Sequence, residues 1–243
     1  MKKQNLTVRI LCAGLALLFA MIACGLPNTT RVGELKSETQ SVDLESASTA
    51  RVQIEFPAGE LKIEGGASSL MDASFRYNVS DWQPEVKYSE NGAQSNLLVT
   101  LPENENLPVG GGLVNEWTIQ LADDVPIDLV IITGAGNSEL NLGALDLSKL
   151  EVQTGAGVTK VDLNGTWQHD LDASIEGGVG ELTVNLPTEM GVHVDMDTAL
   201  VNVTASGLTK DDNGYVNEAF GTAPHTLTLK LQAGVGSVVL VAP

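Results

Sequence analysis

Beyond residue 50 the chain alternates apolar and polar positions in short runs, and the runs come in pairs. Leu129, Ile131 and Thr133 lead into Gly134-Ala135-Gly136, after which Leu140 and Leu142 resume the alternation. Twenty-one residues later Leu150, Val152 and Thr154 lead into Gly155-Ala156-Gly157, followed by Val161 and Leu163. Alternation with period two predicts strand. The unit is therefore strand, glycine corner, strand, turn, and a fixed repeat of this length predicts a solenoid.

The phrase recurs with decay. Gly178-Val179-Gly180 precedes Leu182, Val184 and Leu186, and Gly234-Val235-Gly236 precedes Val238 and Leu240. Val192, Val194 and Met196 pass through a corner without glycine, Asp197–Ala199, to Val201 and Val203. Near the start, Val52 and Ile54 lead to Gly59, Leu61 and Ile63. About six copies result, with Gly59, Gly134, Gly136, Gly155, Gly157, Gly178, Gly180, Gly234 and Gly236 as structural corners. Only glycine bends the backbone so sharply without a steric cost. One repeat spans about 70 Å of extended chain, enough for one small coil of a β-helix. No coil stands alone, because its backbone groups and inward side chains are completed only by neighbours about 4.8 Å above and below. The outward residues Glu64, Asn141, Asp162, Asn185 and Asn202 are expected to form a polar ladder, or equally a solvated edge that discourages sheet pairing.

The regions outside the repeats read differently. Residues 1–23 have a basic start with Lys2, Lys3 and Arg9, and an apolar run, Ile10–Ile22, too short for a comfortable membrane span. Met21-Ile22-Ala23-Cys24 resembles a bacterial lipobox, which makes Cys24 the expected lipidation site. An ordinary signal peptide cut near Ala23, or an uncleaved anchor, are the alternatives. In each case the rest of the chain is exported. Residues 24–48 are polar, lack periodicity and are expected to be a flexible tether. Residues 49–112 predict an N-terminal β region with a turn at Asn91-Gly92. It ends in an acidic glycine-rich loop, and Trp82 and Tyr88 are expected to plug the open end of the stack. An aromatic sugar-binding platform is the functional alternative for that pair. Residues 113–243 form the repeat domain, interrupted by a polar excursion over 210–223.

Composition narrows the function. The chain carries 13 Lys and Arg against 31 Asp and Glu, a formal charge of −18. Without the first 23 residues the basic count falls to 10. Such a polyanion is repelled by nucleic acid and by anionic lipid surfaces. The charge serves solubility, with weak, diffuse Ca²⁺ binding by carboxylates as a sharper alternative. The two cysteines, Cys12 and Cys24, both lie in or beside the N-terminal apolar run, so the folded part has no disulfide or thiolate site.

Three stretches together carry a family resemblance: IEGGASSLMDASFRYNV at 63–79, VPIDLVIITGAGNSELNLGALDLSKLEVQTGAGVTKVDL at 125–163 and GGVGELTVNLP at 177–187. They resemble bacterial toast-rack domains, which are related to LiaF-like envelope proteins and adhesin-type repeat domains. The resemblance covers roughly 42–241. It implies an all-β, single-stranded right-handed β-helix, a role at the cell envelope, and no catalytic residues. A direct signalling role like that of membrane-embedded LiaF-like proteins does not follow, because this chain has one N-terminal apolar segment.

Catalytic chemistry is sparse. No His-Glu-X-X-His or Gly-X-Ser-X-Gly motif occurs among the three histidines, His169, His193 and His225. His193, Asp195 and Asp197 share one strand face about 6.7 Å apart, wide for ligating one metal. The Gly-X-Gly pairs enter strands, which argues against a dinucleotide site. No catalytic, cofactor or metal site is expected. The leading expectation is a non-enzymatic envelope lipoprotein acting as an interaction scaffold, adhesin-like, with an unidentified envelope protein or glycan as partner. The alternatives are a component of envelope-stress sensing that binds a membrane signalling protein or a cell-wall-active compound, and a carbohydrate-active enzyme on a β-helix.

Overall fold

A computed structural model describes residues 32–102, 111–212 and 214–243. The signal region, Cys12 and Cys24 lie outside the described residues, as do 24–31 of the expected tether and 103–110 of the acidic loop. Six long strands are the rungs of one stack: β2 (Thr49–Gly65), β7 (Ile127–Asn141), β8 (Leu147–Asp162), β9 (Leu171–Asn185), β10 (Gly191–Ser206) and β13 (Thr226–Val241). Each bends at its middle into two arms, and neighbours pair in parallel and in register along both arms. The fold is the all-β solenoid that the repeats predict.

Inward side chains align into columns that run the height of the stack. Val52, Leu129, Leu150, Ala173, Leu229 and Val194 line one arm, while Ile63, Leu140, Val161, Val184, Leu240 and Ala205 line the other. All of these are buried except Ala205, on the terminal rung. Short turns close the third side. Their apolar residues Leu142, Leu145, Leu163, Leu186 and Met190 are buried too, so the core is a prism of aliphatic side chains.

The order of rungs departs from the order of the chain. The stack runs β2-β7-β8-β9-β13-β10, so the last strand inserts between its two predecessors. This also corrects the expected polar ladder. Glu64, Asn141, Asp162 and Asn185 do align, but Val241 and Ser206 occupy the next positions, and Asn202 instead lies beside Ser237.

At the first rung the two arms acquire different neighbours. The hairpin β4 (Glu85–Asn91) and β5 (Gln94–Thr100) extends one arm, with β5 parallel to β2. β6 (Asn115–Leu121) extends the other, followed by the antiparallel strands β3 (Met71–Tyr77) and β1 (Lys36–Val42). Residues 36–42 are therefore a strand and not tether. Their alternation is entirely polar up to Val42 because β1 is an edge strand, held by its hydrogen bonds to β3. β6 likewise completes the N-terminal cap instead of opening the repeat domain. The plug of this end is also reassigned. Trp117 is buried between Phe56 and Phe75, with edge-to-face centroid distances of 5.1 and 5.3 Å. Trp82, on a single 3₁₀ turn, and Tyr88 are half-buried at the margin. Trp117 wins the centre because its indole N–H reaches the Asn115 Oδ1 at 2.9 Å, while Asn115 Nδ2 donates to the Ala58 carbonyl at 2.7 Å.

At the other end, β12 (Gly214–Val216) covers only residues 193–195 of β10, and the two-residue strand β11 (Thr209–Lys210) pairs with β12. Asn217 pins this cap. It accepts from the Val192 N–H at 2.8 Å and donates to the Met190 carbonyl at 2.8 Å.

Candidate functional site

The corner is the feature that every rung repeats, and its geometry follows from stacking. Gly59, Gly136, Gly157, Gly180 and Gly236 lie in one column with φ between 126° and 142°. A Cβ on Gly157 would lie 1.9 Å from the Gly136 carbonyl oxygen, and one on Gly180 would lie 1.9 Å from that of Gly157. The first glycine of each pair is excluded from change by contact alone. A Cβ on Gly155 would meet the Gly134 carbonyl at 2.2 Å, and one on Gly134 the Pro57 carbonyl at 2.1 Å. Gly178 and Gly234 continue that column against Gly155 and Gly178. A second glycine column at the next bend, Gly143 and Gly165, is as tightly stacked, with a Cβ on Gly165 only 1.8 Å from the Gly143 carbonyl. Sequence reasoning missed it, although the two residues occupy equivalent places after successive repeats.

Beside the corner an open groove crosses the rungs. Gln153, Glu176, Gln232 and Asp197 occupy one outward column on β8, β9, β13 and β10, and they line it together with Gly155, Gly178 and Gly234. The glycines leave bare backbone as its floor, flanked by amides and carboxylates at the roughly 4.8 Å spacing of adjacent strands. Gln153 is held by Glu151 at 3.0 Å. Among the described residues, Glu176, Gln232 and Asp197 make no side-chain hydrogen bond, which leaves them available to a ligand that runs along the stack.

A second groove, across the opposite arm, carries charges of both signs. Lys62, Glu139 and Lys160 alternate in sign on neighbouring rungs, and Lys62 pairs with Glu64 at 2.8 Å. The Glu64 carboxylate, with help from Glu139, raises the Lys62 ammonium above its usual range. Opposite charges facing one another on neighbouring strands favour this register, while the Lys62–Glu64 pair lies within β2.

The histidines do not converge. His193 stacks on Phe220 at 5.4 Å and lies 3.8 Å from Asp211, so it belongs to the cap contact. His169 meets the Asp170 carbonyl at 2.9 Å and Asp146 at 2.6 Å, and these contacts raise its pKa. His225 lies 3.9 Å from Asp170. Among the described residues no group of three or more His, Cys, Asp or Glu could hold a metal ion.

The third corner feature is apolar. The middle residues of the corners form the outward column Ala58, Ala135, Ala156, Val179, Val235 and Leu200, which grows in size toward the end of the stack. Val179, Val235 and Leu200 are 58%, 48% and 75% exposed. A ridge of this kind is not needed by the core, and it borders the polar groove.

Comparisons with known proteins agree with this architecture. No curated protein matches the chain. A crystal structure of a "putative cell adhesion protein" from Clostridium sporogenes superimposes with a TM-score of 0.82 at 29% identity, covering 85% of this chain and 99% of that one. A crystal structure of a "putative adhesin" from Bacteroides fragilis matches at 11% identity and a TM-score of 0.35, covering 87% of this chain and 99% of that one. The family model for the N-terminal domain of toast_rack, DUF2154, matches residues 31–185. Since that match takes in well over half of its length, the chain belongs to the toast-rack family.

Proposed function

We propose that this protein is a non-enzymatic interaction scaffold of the cell envelope, adhesin-like, held at the membrane through a lipid on Cys24. The observation that carries the reading is the likeness to the clostridial structure, which extends over nearly the whole of that chain. The groove supports it. A polar column repeated on successive rungs suits an extended partner, a glycan strand or a peptide, that makes the same contact several times. Single contacts of this type are weak, and their repetition supplies the affinity.

The experiment is affinity capture. The purified protein is immobilised and exposed to solubilised envelope of its own organism, with and without Ca²⁺. Recovery of envelope glycan is the expected result. One dominant membrane protein that survives high salt would support a second reading, partnership with a membrane signalling protein. Turnover of recovered glycan by the protein would overturn the non-enzymatic reading. For the anchor, Cys24→Ser is expected to abolish lipid labelling and release the protein from membranes. Unchanged labelling would contradict it.

A further inference from the structure

The end of the stack is only half closed. β12 covers residues 193–195 of β10, whereas no described strand pairs with the outer edge of Leu200–Ser206. The inward residues of that arm, Val201, Val203 and Ala205, are only partly buried, unlike their counterparts on the inner rungs Val238 and Leu240. Solenoids normally cover such an end with a polar cap. Exposed edges are normally blunted by charge, proline or a bulge. Here the reverse holds. Thr198–Thr209 contains no Asp, Glu, Lys, Arg, His or Pro, in a chain with 31 acidic residues.

We propose that this edge pairs with the same edge of a second copy of the chain, forming an end-to-end dimer. Three observations choose that occupant. First, a two-fold axis normal to the sheet makes Leu200–Ser206 antiparallel to itself, so each copy satisfies the backbone groups of the other. That axis also keeps the faces of Val201, Val203 and Ala205 on one side, so the two cores merge. Second, the molecule carries a formal charge of −18, and two copies repel one another across acidic surfaces. The uncharged edge is where they approach at least cost. Third, the chain before β1 is at the wrong end. β1 lies eight strand steps from β10, or about 38 Å, while residues 24–31, which are all that precedes the described chain once the peptide before Cys24 is removed as the proposed lipid anchor requires, reach no more than about 29 Å when fully extended.

The test is sedimentation of the full-length protein in density-matched detergent over a range of concentrations and salt, with hydrogen exchange read at 200–206. The expected result is a reversible dimer, strengthened by salt, in which the amides of 200–206 that point away from β13 are protected only at concentrations where the dimer forms. Asn202→Asp with Thr204→Asp, both at exposed outward positions, is expected to weaken dimerisation at least tenfold. Asn137→Asp with Gln94→Glu adds the same charge at exposed positions away from that edge and is expected to leave it unchanged within twofold. A monomer at every concentration, or a dimer indifferent to the edge charges, would overturn the proposal. Protection of those outward-pointing amides that does not depend on concentration would mean that another part of the same chain covers the edge, and would overturn it as well.

Discussion

Five of the six rungs turn on a glycine; four of these stack directly on the carbonyl of the neighbouring rung, and Gly59 stacks on the Asn115 carbonyl of β6. Two penalties meet at Gly157: a φ of 136° that L-residues rarely adopt, and a Cβ position 1.9 Å from a backbone oxygen. Gly157→Ala is therefore expected to destabilise by about 3 kcal/mol or more, read as a lower urea midpoint. Gly92, in the β4–β5 turn, has φ 65° and nothing within 4 Å of its would-be Cβ. Gly92→Ala should cost only about 1 kcal/mol. Equal losses at the two sites would refute the stacking argument. A residue-scale pH effect belongs to Tyr77. Burial, then the Glu38 carboxylate that its hydroxyl meets at 2.5 Å, pushes its pKa up to about 12. The folded state favours the neutral phenol, so this contribution is complete below about pH 10 and is lost as pH rises toward 12. Wild type should lose stability between pH 9 and 11 more steeply than Tyr77→Phe, as measured by the urea midpoint. The corner glycines were legible because each recurs in the same phrase. The contacts of Tyr77 and Trp117 were not, because they depend on which strands meet across the cap, and no local pattern encodes that.

At the scale of elements, the insertion of β13 between β9 and β10 is the feature that periodicity does not reveal. Every repeat presents the same alternation, so any copy fits beside any other. One signal was present. The copy at residues 191–206 has no glycine at its corner, and Val201 stands where Gly236 and Gly180 stand in the adjacent rungs. A rung that departs from the shared corner suits the end of a stack, where no further rung must rest on it. The arrangement makes β10 dependent on the chain terminus. Truncation after residue 225 should remove protection from hydrogen exchange throughout β10, while β2, β7 and β8 keep theirs. A stack in chain order would instead keep β10 on β9 and lose only the final rung. β1 was illegible for a different reason. An edge strand with one face exposed and the other only half-buried needs no strict apolar alternation, only a partner, and β3 supplies it.

At the scale of the molecule, the solenoid converts a 21-residue phrase into faces about 30 Å long, six strands at about 4.8 Å each. One face carries Lys62, Glu139 and Lys160, charges of alternating sign on neighbouring rungs. Another carries Gln153, Glu176, Gln232 and Asp197 above a glycine floor, beside an apolar ridge. The sequence shows that the repeats exist and that outward positions are polar. That Glu176, Gln232 and Asp197 share a column with Gln153 emerges only from the register. The account places partner recognition in that groove, and the measurement that tests it most directly is capture of envelope material by a combined Gln153→Ala, Glu176→Ala and Gln232→Ala variant of the full chain. All three side chains point outward, so the urea midpoint should stay within about 0.5 kcal/mol equivalent of wild type. The account predicts at least a tenfold fall in captured material with the fold intact. Undiminished capture by the folded variant would contradict it.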